Sequence, residues 1–242
     1  MTTDAPAIDL THHFLIAMPG LSDELFGRSV VYVCEHTPKG ALGLIINKPT
    51  GLTLGDLFER LDLPLGRPEW ADLPVLRGGP LQTERGFVLH EDMGEPQPVA
   101  PPAAPAPATA ADAPASALGA WMQAAGGAAP PAAPAVEDTP APRPTVYAAT
   151  LKVLGSGLEL TTSRDVLEAV AVGAGPRQML VTLGYSSWGE GQLESEIGDN
   201  AWLTVPADPA LLFDVPPQHR YERAMALLGL QPWMLAPGAG RA

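Results

Sequence analysis

Cysteine is almost missing from this sequence: Cys34 is the single one in 242 residues. One thiol cannot close an intramolecular disulfide, which excludes a small secreted scaffold held by cross-links. Basic residues are also scarce. Fourteen Lys and Arg stand against 27 Asp and Glu, for a formal net charge of −13. Such a surface repels phosphate backbones, and nucleic-acid affinity rests mainly on neutralising phosphates. No Lys/Arg stripe overrides that field, so direct nucleic-acid binding is not expected. No apolar run reaches the roughly 20 residues a membrane helix needs, and no membrane association is expected. Residues 1–10 carry Asp4 and Asp9 and lack the basic and apolar regions of a signal peptide. A soluble, cytoplasmic protein is the expectation.

Several catalytic signatures are absent too. There is no G-x-x-x-x-G-K-[ST] phosphate loop, no G-x-G-x-x-G opening a helix, and no H-E-x-x-H zinc motif. No cofactor and no metal is expected. The run Gly184-Tyr185-Ser186-Ser187-Trp188 begins like a nucleophile elbow. Trp188 then occupies the place where the sharp turn needs a small residue, so no catalytic serine is assigned.

What the chain does have divides it by composition. Residues 96–145 hold nearly half of its 28 prolines, many alanines and almost no large aliphatic side chains. Such a stretch buries too little surface to offset its ordering entropy and reads as a disordered, extended spacer. It contains three acids (Asp112, Glu137, Asp138) and Arg143, so it carries −2 and leaves −11 for the rest. Within it, Leu118, Trp121 and Met122 sit at helical spacing, a transient helix or a short docking element. Residues 1–95 and 146–242 are expected to form one domain around this insert.

Outside the insert, strands and helices interleave irregularly. Phe14–Met18, Val30–Cys34 and Ala41–Asn47 read as strands, the last two joined by Thr37-Pro38-Lys39-Gly40 as a hairpin apolar on both faces. Thr53 and Asp56 form a capping-box pattern before a stripe of Leu54, Leu57, Phe58 and Leu61. Val75-Leu76, Gly86–Glu91, Val146–Leu154, Leu158–Thr161, Gln178–Leu183 and Ala201–Val205 read as further strands. Helices are expected from Thr162 to Val172, from Trp188 to Ile197, and after Pro216-Pro217 with Tyr221, Ala224, Met225 and Leu228 on one face. This is an α+β pattern, not regular βαβ alternation.

Three groups of side chains are candidates for function. Cys34 and His36 lie two apart on a strand, which places a thiol and an imidazole on one face. Gly184–Leu203 is rich in polar and aromatic groups, and Tyr185, Trp188, Gln192, Glu194 and Glu196 are its pocket candidates. On a helix Gln192 and Glu196 share a face. Asn47 ends a strand before Lys48-Pro49, and Gly78 and Gly79 sit in a tight turn, so each could offer backbone N–H groups to an anion. The alternatives are a buried Cys34, a solvated acidic helix and ordinary turn chemistry.

Four blocks in order, FLIAMPGL (14–21), VVYVCEHTPKGALGLIINKP (30–49), RGGP (77–80) and GYSSWGEGQLESEIGDNAWL (184–203), closely resemble the AlgH/YqgE family of bacterial proteins. The resemblance implies an α+β fold with a coiled, bifurcated mixed sheet surrounded by helices, a cytosolic location, and no catalytic residues to carry over. Two departures stand out: Ser187 replaces a usual glycine, and the Ala/Pro insert is not a usual feature. A non-enzymatic regulatory or interaction protein with an unknown protein partner is the leading expectation. The alternatives are a redox or reactive-thiol protein or small-ligand enzyme centred on Cys34 or the Trp188–Glu196 cluster, and a transcriptional regulator.

Overall fold

The structure, a computed structural model, describes residues 8–21, 23–93, 147 and 149–231. The Ala/Pro-rich stretch and its Leu118-Trp121-Met122 island lie outside these residues. The rest is α+β, with five α-helices among the described residues and a mainly antiparallel sheet.

The sheet is built from β1 (His13–Ala17), β2 (Val30–Thr37), β3 (Gly40–Ile45), β4 (Pro49–Thr53), β5 (Pro74–Arg77), β6 (Leu81–Glu91), β7 (Thr150–Val153), β8 (Leu158–Thr161), β9 (Met179–Gly189) and β10 (Trp202–Pro206). Their order is β10-β1-β2-β3-β9-β6-β8-β7. Strands from both sides of the Ala/Pro stretch are therefore interleaved in one sheet. β9 is the hub. Its end, Ser186–Gly189, pairs with β3, while Thr182 and Leu183 pair in parallel with β5 and antiparallel with β6.

The apolar runs of β2 and β3 are covered on both faces, as their two-sided patterning requires. Phe14, Ile16, Tyr32, Cys34 and Leu44 pack on one face, and Leu15, Val31, Val33, Ala41, Ile45 and Trp188 pack on the other. A third cluster joins Leu54 and Phe58 of α1 (Leu54–Arg60) to Val166 and Val170 of α2 (Asp165–Ala171) over β5, β6 and β9. The capping box at α1 is formed: Thr53 accepts from the Asp56 N–H, and Asp56 accepts from the Thr53 N–H.

Several elements differ from expectation for identifiable reasons. The helix expected to begin at Trp188 begins four residues later, as α3 (Gln192–Gly198). Gly184 is left-handed, but residues 185–189 stay extended because Tyr185 pairs with Leu81 of β6 and Ser186–Gly189 pair with β3. Of the strand expected at 146–154, Thr150–Val153 form β7, with residues 146 and 148 outside the described residues, and β6 begins five residues before Gly86. The helix expected from Thr162 begins at Asp165, with Arg164 at the N-cap position and no side-chain cap. Residues 49–53, rich in turn formers, pair with β5, and α4 (Pro209–Phe213) is capped by Asp208 before α5 (Pro217–Leu227).

Candidate functional site

A bulge decides which candidates meet. Val33 pairs with Gly43 and Glu35 with Leu42, so Cys34 has no opposite residue on β3. An extra residue reverses the in–out alternation beyond it. Cys34 therefore stays on the Tyr32 face, while His36 turns to the face of Val33 and Trp188. The expected shared face of Cys34 and His36 does not form. Cys34 is 1% exposed, and burial pushes its thiol far above the ordinary value.

On the other face, His36, Ala41 and Trp188 are directly opposed across β2, β3 and β9. Gly43 leaves room for the indole: a Cβ there would stand 3.4 Å from Trp188 Cζ3 and only 2.7 Å from Val31 Cγ1. Helix α3 lies over this row and is fastened by its polar side chains. Glu196 Oε2 accepts the indole N–H groups of Trp188 at 2.9 Å and Trp202 at 2.8 Å. Glu196 Oε1 accepts from Gln192 Nε2 at 2.9 Å, and Gln192 Oε1 accepts from the Gly189 N–H at 3.0 Å. Leu193, 1% exposed, supplies the apolar anchor of the helix.

His36 is held at both ring nitrogens. Nδ1 accepts from the Leu10 N–H at 3.1 Å, which leaves the proton of the neutral ring on Nε2. Nε2 then donates to Glu194 Oε1 at 3.0 Å. The imidazole is inside, with its side chain 4% exposed, while that of Glu194 is half-exposed. His36, Trp188, Gln192, Glu194 and Glu196 are thus brought together.

The other candidates are placed elsewhere. Tyr185 packs toward the Tyr32 face against Phe87, with ring centroids 5.2 Å apart. Asn47 joins two chain segments: its Oδ1 accepts from the Val30 N–H and its Nδ2 donates to the Arg28 carbonyl. Gly78 and Gly79 pass directly against β9. A Cβ would lie 2.1 Å from the Gly184 carbonyl oxygen at Gly78 and 2.2 Å from the Tyr185 one at Gly79. The Gly78 N–H bonds Leu183, and the Arg77 N–H bonds Lys48, so these donors are committed to the sheet.

Two clefts meet at Pro80. One, of about 420 Å³, lies beside Phe26, Asp23, Ser187, Trp188, Glu196 and Trp202. The other, of about 390 Å³, is bordered by Glu24, Thr50, Arg77, Gly79 and Thr83. Leu21, Asp23 and Phe26 border the first, and Glu24 and Leu25 of the same segment border the second. That segment is shaped by Asp23, which accepts from the N–H groups of Leu25 and Phe26, and by Phe26, edge-on to Trp202 at 5.7 Å. Lys48 donates to the Gly27 carbonyl at 2.7 Å. Burial, with Arg28 and Arg77 adding repulsion, lowers its ammonium pKa. Sequence reasoning passed over Phe26, Arg77 and Trp202. The signal for Trp202 was its place in the 184–203 block; Phe26 carries none.

Ser187, which stands in place of a glycine, occupies regular strand opposite Leu42 and has no left-handed backbone. Among the described residues no group of three or more His, Cys, Asp or Glu is placed to hold a metal ion. No helix among them is long and apolar enough to cross a membrane.

Comparison with known proteins places this geometry. A family model described as AlgH-like matches residues 14–233. A UPF0301 protein of Polaromonas is 51% identical over 242 residues, covering 100% of both chains. One from Paracidovorax citrulli is 55% identical over 243 residues, again covering 100% of both. Those matches run through the Ala/Pro stretch, which therefore does not set this chain apart from these relatives. The solution structure of the AlgH protein from Pseudomonas aeruginosa matches with a TM-score of 0.60 at 38% identity, covering 100% of both chains. A crystal structure of a Corynebacterium diphtheriae protein matches with a TM-score of 0.57 at 16% identity, covering 98% of this chain and 95% of that one, a likeness of fold.

Proposed function

The chain belongs to the AlgH-like family, and from that premise we propose that it is a non-enzymatic regulatory or interaction protein whose recognition surface is the paired cleft around Pro80. It works in the cytoplasm, with residues 1–95 and 146–242 as one domain and 96–145 as a low-complexity insert in its sequence.

One observation carries the reading: the side chains best suited to acid–base chemistry are already committed to holding α3. Both oxygens of Glu196 accept neutral N–H groups, and both nitrogens of His36 are bonded. A general base needs a free lone pair within reach of substrate. The one thiol lies on the opposite face and is buried, far from the exposed, electropositive setting of a reactive cysteine. What the cleft does present is aromatic edges, backbone and charges of both signs, which suits recognition rather than turnover.

Incubation of the purified full chain with a bacterial metabolite extract, followed by mass spectrometry, tests this. No component is expected to be consumed faster than in a control with heat-inactivated protein. A component consumed by the native chain and spared by Glu196→Gln or His36→Gln would overturn the non-enzymatic reading.

A further inference from the structure

A third cavity, sharing no residue with the two Pro80 clefts, lies between α5, α4 and β5. It has a volume of about 360 Å³, at the small end of the roughly 300–1,000 Å³ of ligand pockets. Its walls are mainly apolar, with Leu54, Leu73, Leu76, Met179, Leu212 and Phe213 among them. Arg220 also lines it and is 6% exposed.

Arg220 is an unusual occupant of such a wall. Buried arginines are normally paired with an anion. Here Nε donates to the Val215 carbonyl at 2.8 Å and Nη1 to the Ile46 carbonyl. Among the described residues these two neutral acceptors are its only ones, which leaves the rest of its five N–H groups without an acceptor there. Arg220 takes part in none of the ion pairs among the described residues. Burial lowers its pKa to about 10, so it is still charged at neutral pH. The start of α5 lines the same cavity and adds to the positive field. It has no side-chain cap and no acid in its first turn.

We propose that this cavity binds a single carboxylate carrying an apolar chain, with Arg220 as the carboxylate anchor and the leucine-lined walls as the seat of the chain. A guanidinium matches a carboxylate in geometry, and their hydrogen bonds are charge-assisted. The charge of the ligand is limited to one by Asp214, which also lines the cavity and accepts from Gln178 Nε2 at 3.5 Å. A phosphate dianion would meet that carboxylate and the overall −13 of the chain.

Isothermal titration of the full chain with sodium octanoate, 1-octanol and octylammonium tests the assignment. Octanoate is expected to bind one-to-one, octanol about tenfold more weakly or less, and octylammonium not at all. Leu73→Trp fills the cavity mouth from a position 41% exposed, without touching the bonds of Arg220. It is expected to weaken octanoate about tenfold while leaving the unfolding midpoint in place. Arg220→Gln is expected to make octanoate and octanol equal; if that variant does not fold, the ligand series and Leu73→Trp decide. No saturable octanoate binding, equal binding of octanol to the native chain, or indifference to Leu73→Trp would each overturn the proposal.

Discussion

Trp188 and Trp202 donate their indole N–H groups to the same oxygen, Glu196 Oε2, while their rings meet edge-on at 6.1 Å. One carboxylate thus joins the hub strand β9, the edge strand β10 and helix α3. Both indoles are nearly buried, at 5% and 4% exposure. Their N–H groups have no cheap alternative acceptor in that interior.

Glu196→Ala leaves both donors unsatisfied. We expect a loss of about 2–4 kcal/mol in urea unfolding, since each orphaned buried group costs about 1–3 kcal/mol. Glu196→Gln keeps an acceptor oxygen and is expected to lose about half as much. A loss below about 0.5 kcal/mol for Glu196→Ala would mean that the pair of indoles is not held by this carboxylate.

Gly79→Ala is expected to destabilise by about 3 kcal/mol or more, because the added carbon would overlap the Tyr185 backbone, which cannot rotate away. Gly198→Ala, where nothing lies within 4 Å, is the control. It is expected to be neutral or slightly stabilising. Equal effects in urea unfolding would contradict the close crossing of residues 78–79 over β9.

These residues also show what the sequence makes legible. The β-branched run of β2, the Thr53–Asp56 box and the i, i+4 pairing of Gln192 with Glu196 are local patterns, and each is found in the structure. The bulge at Cys34 is not local: it depends on where Gly43 and Leu42 of β3 come to rest, so strand periodicity alone put Cys34 and His36 together. Likewise the expected helix start at Trp188 misses that β3 and β6 hold residues 185–189 extended beyond the left-handed Gly184. The meeting of Trp188 with Trp202 depends on α3 folding back between two strands that are not neighbours.

His90 supplies a pH dependence. It is fully buried, bonded to the Glu91 carbonyl and to Thr161, and burial lowers its pKa below the ordinary 6.5. The unfolded chain takes up the proton first as pH falls. Stability from this residue is therefore complete above about pH 6.5 and declines as pH falls through the folded value. Glu159 acts with the opposite sign, since burial raises its pKa and favours its protonated form. Its contribution is lost as pH rises through the folded value. Unfolding curves between pH 7 and pH 5 should lose part of their slope in His90→Gln, and keep or steepen it in Glu159→Gln, whose contribution opposes that of His90. An unchanged slope in His90→Gln would contradict the neutral buried imidazole.

Cys34 is expected to resist a thiol reagent at pH 8 in the native chain and to react at once in urea. Native labelling at the rate of a free thiol would place the sulfur outside the core and reopen the thiol-centred reading.

The recognition surface is tested most directly by a photo-crosslinking residue at Ser187, exposed on the floor of the larger cleft, in the full chain expressed in cells. Leu154, 74% exposed and remote from both clefts, carries the same residue as a control. Discrete adducts from position 187, absent from position 154 and reduced by Phe26→Ala, are the expected result. The same adducts from both positions, or none from position 187, would contradict the account.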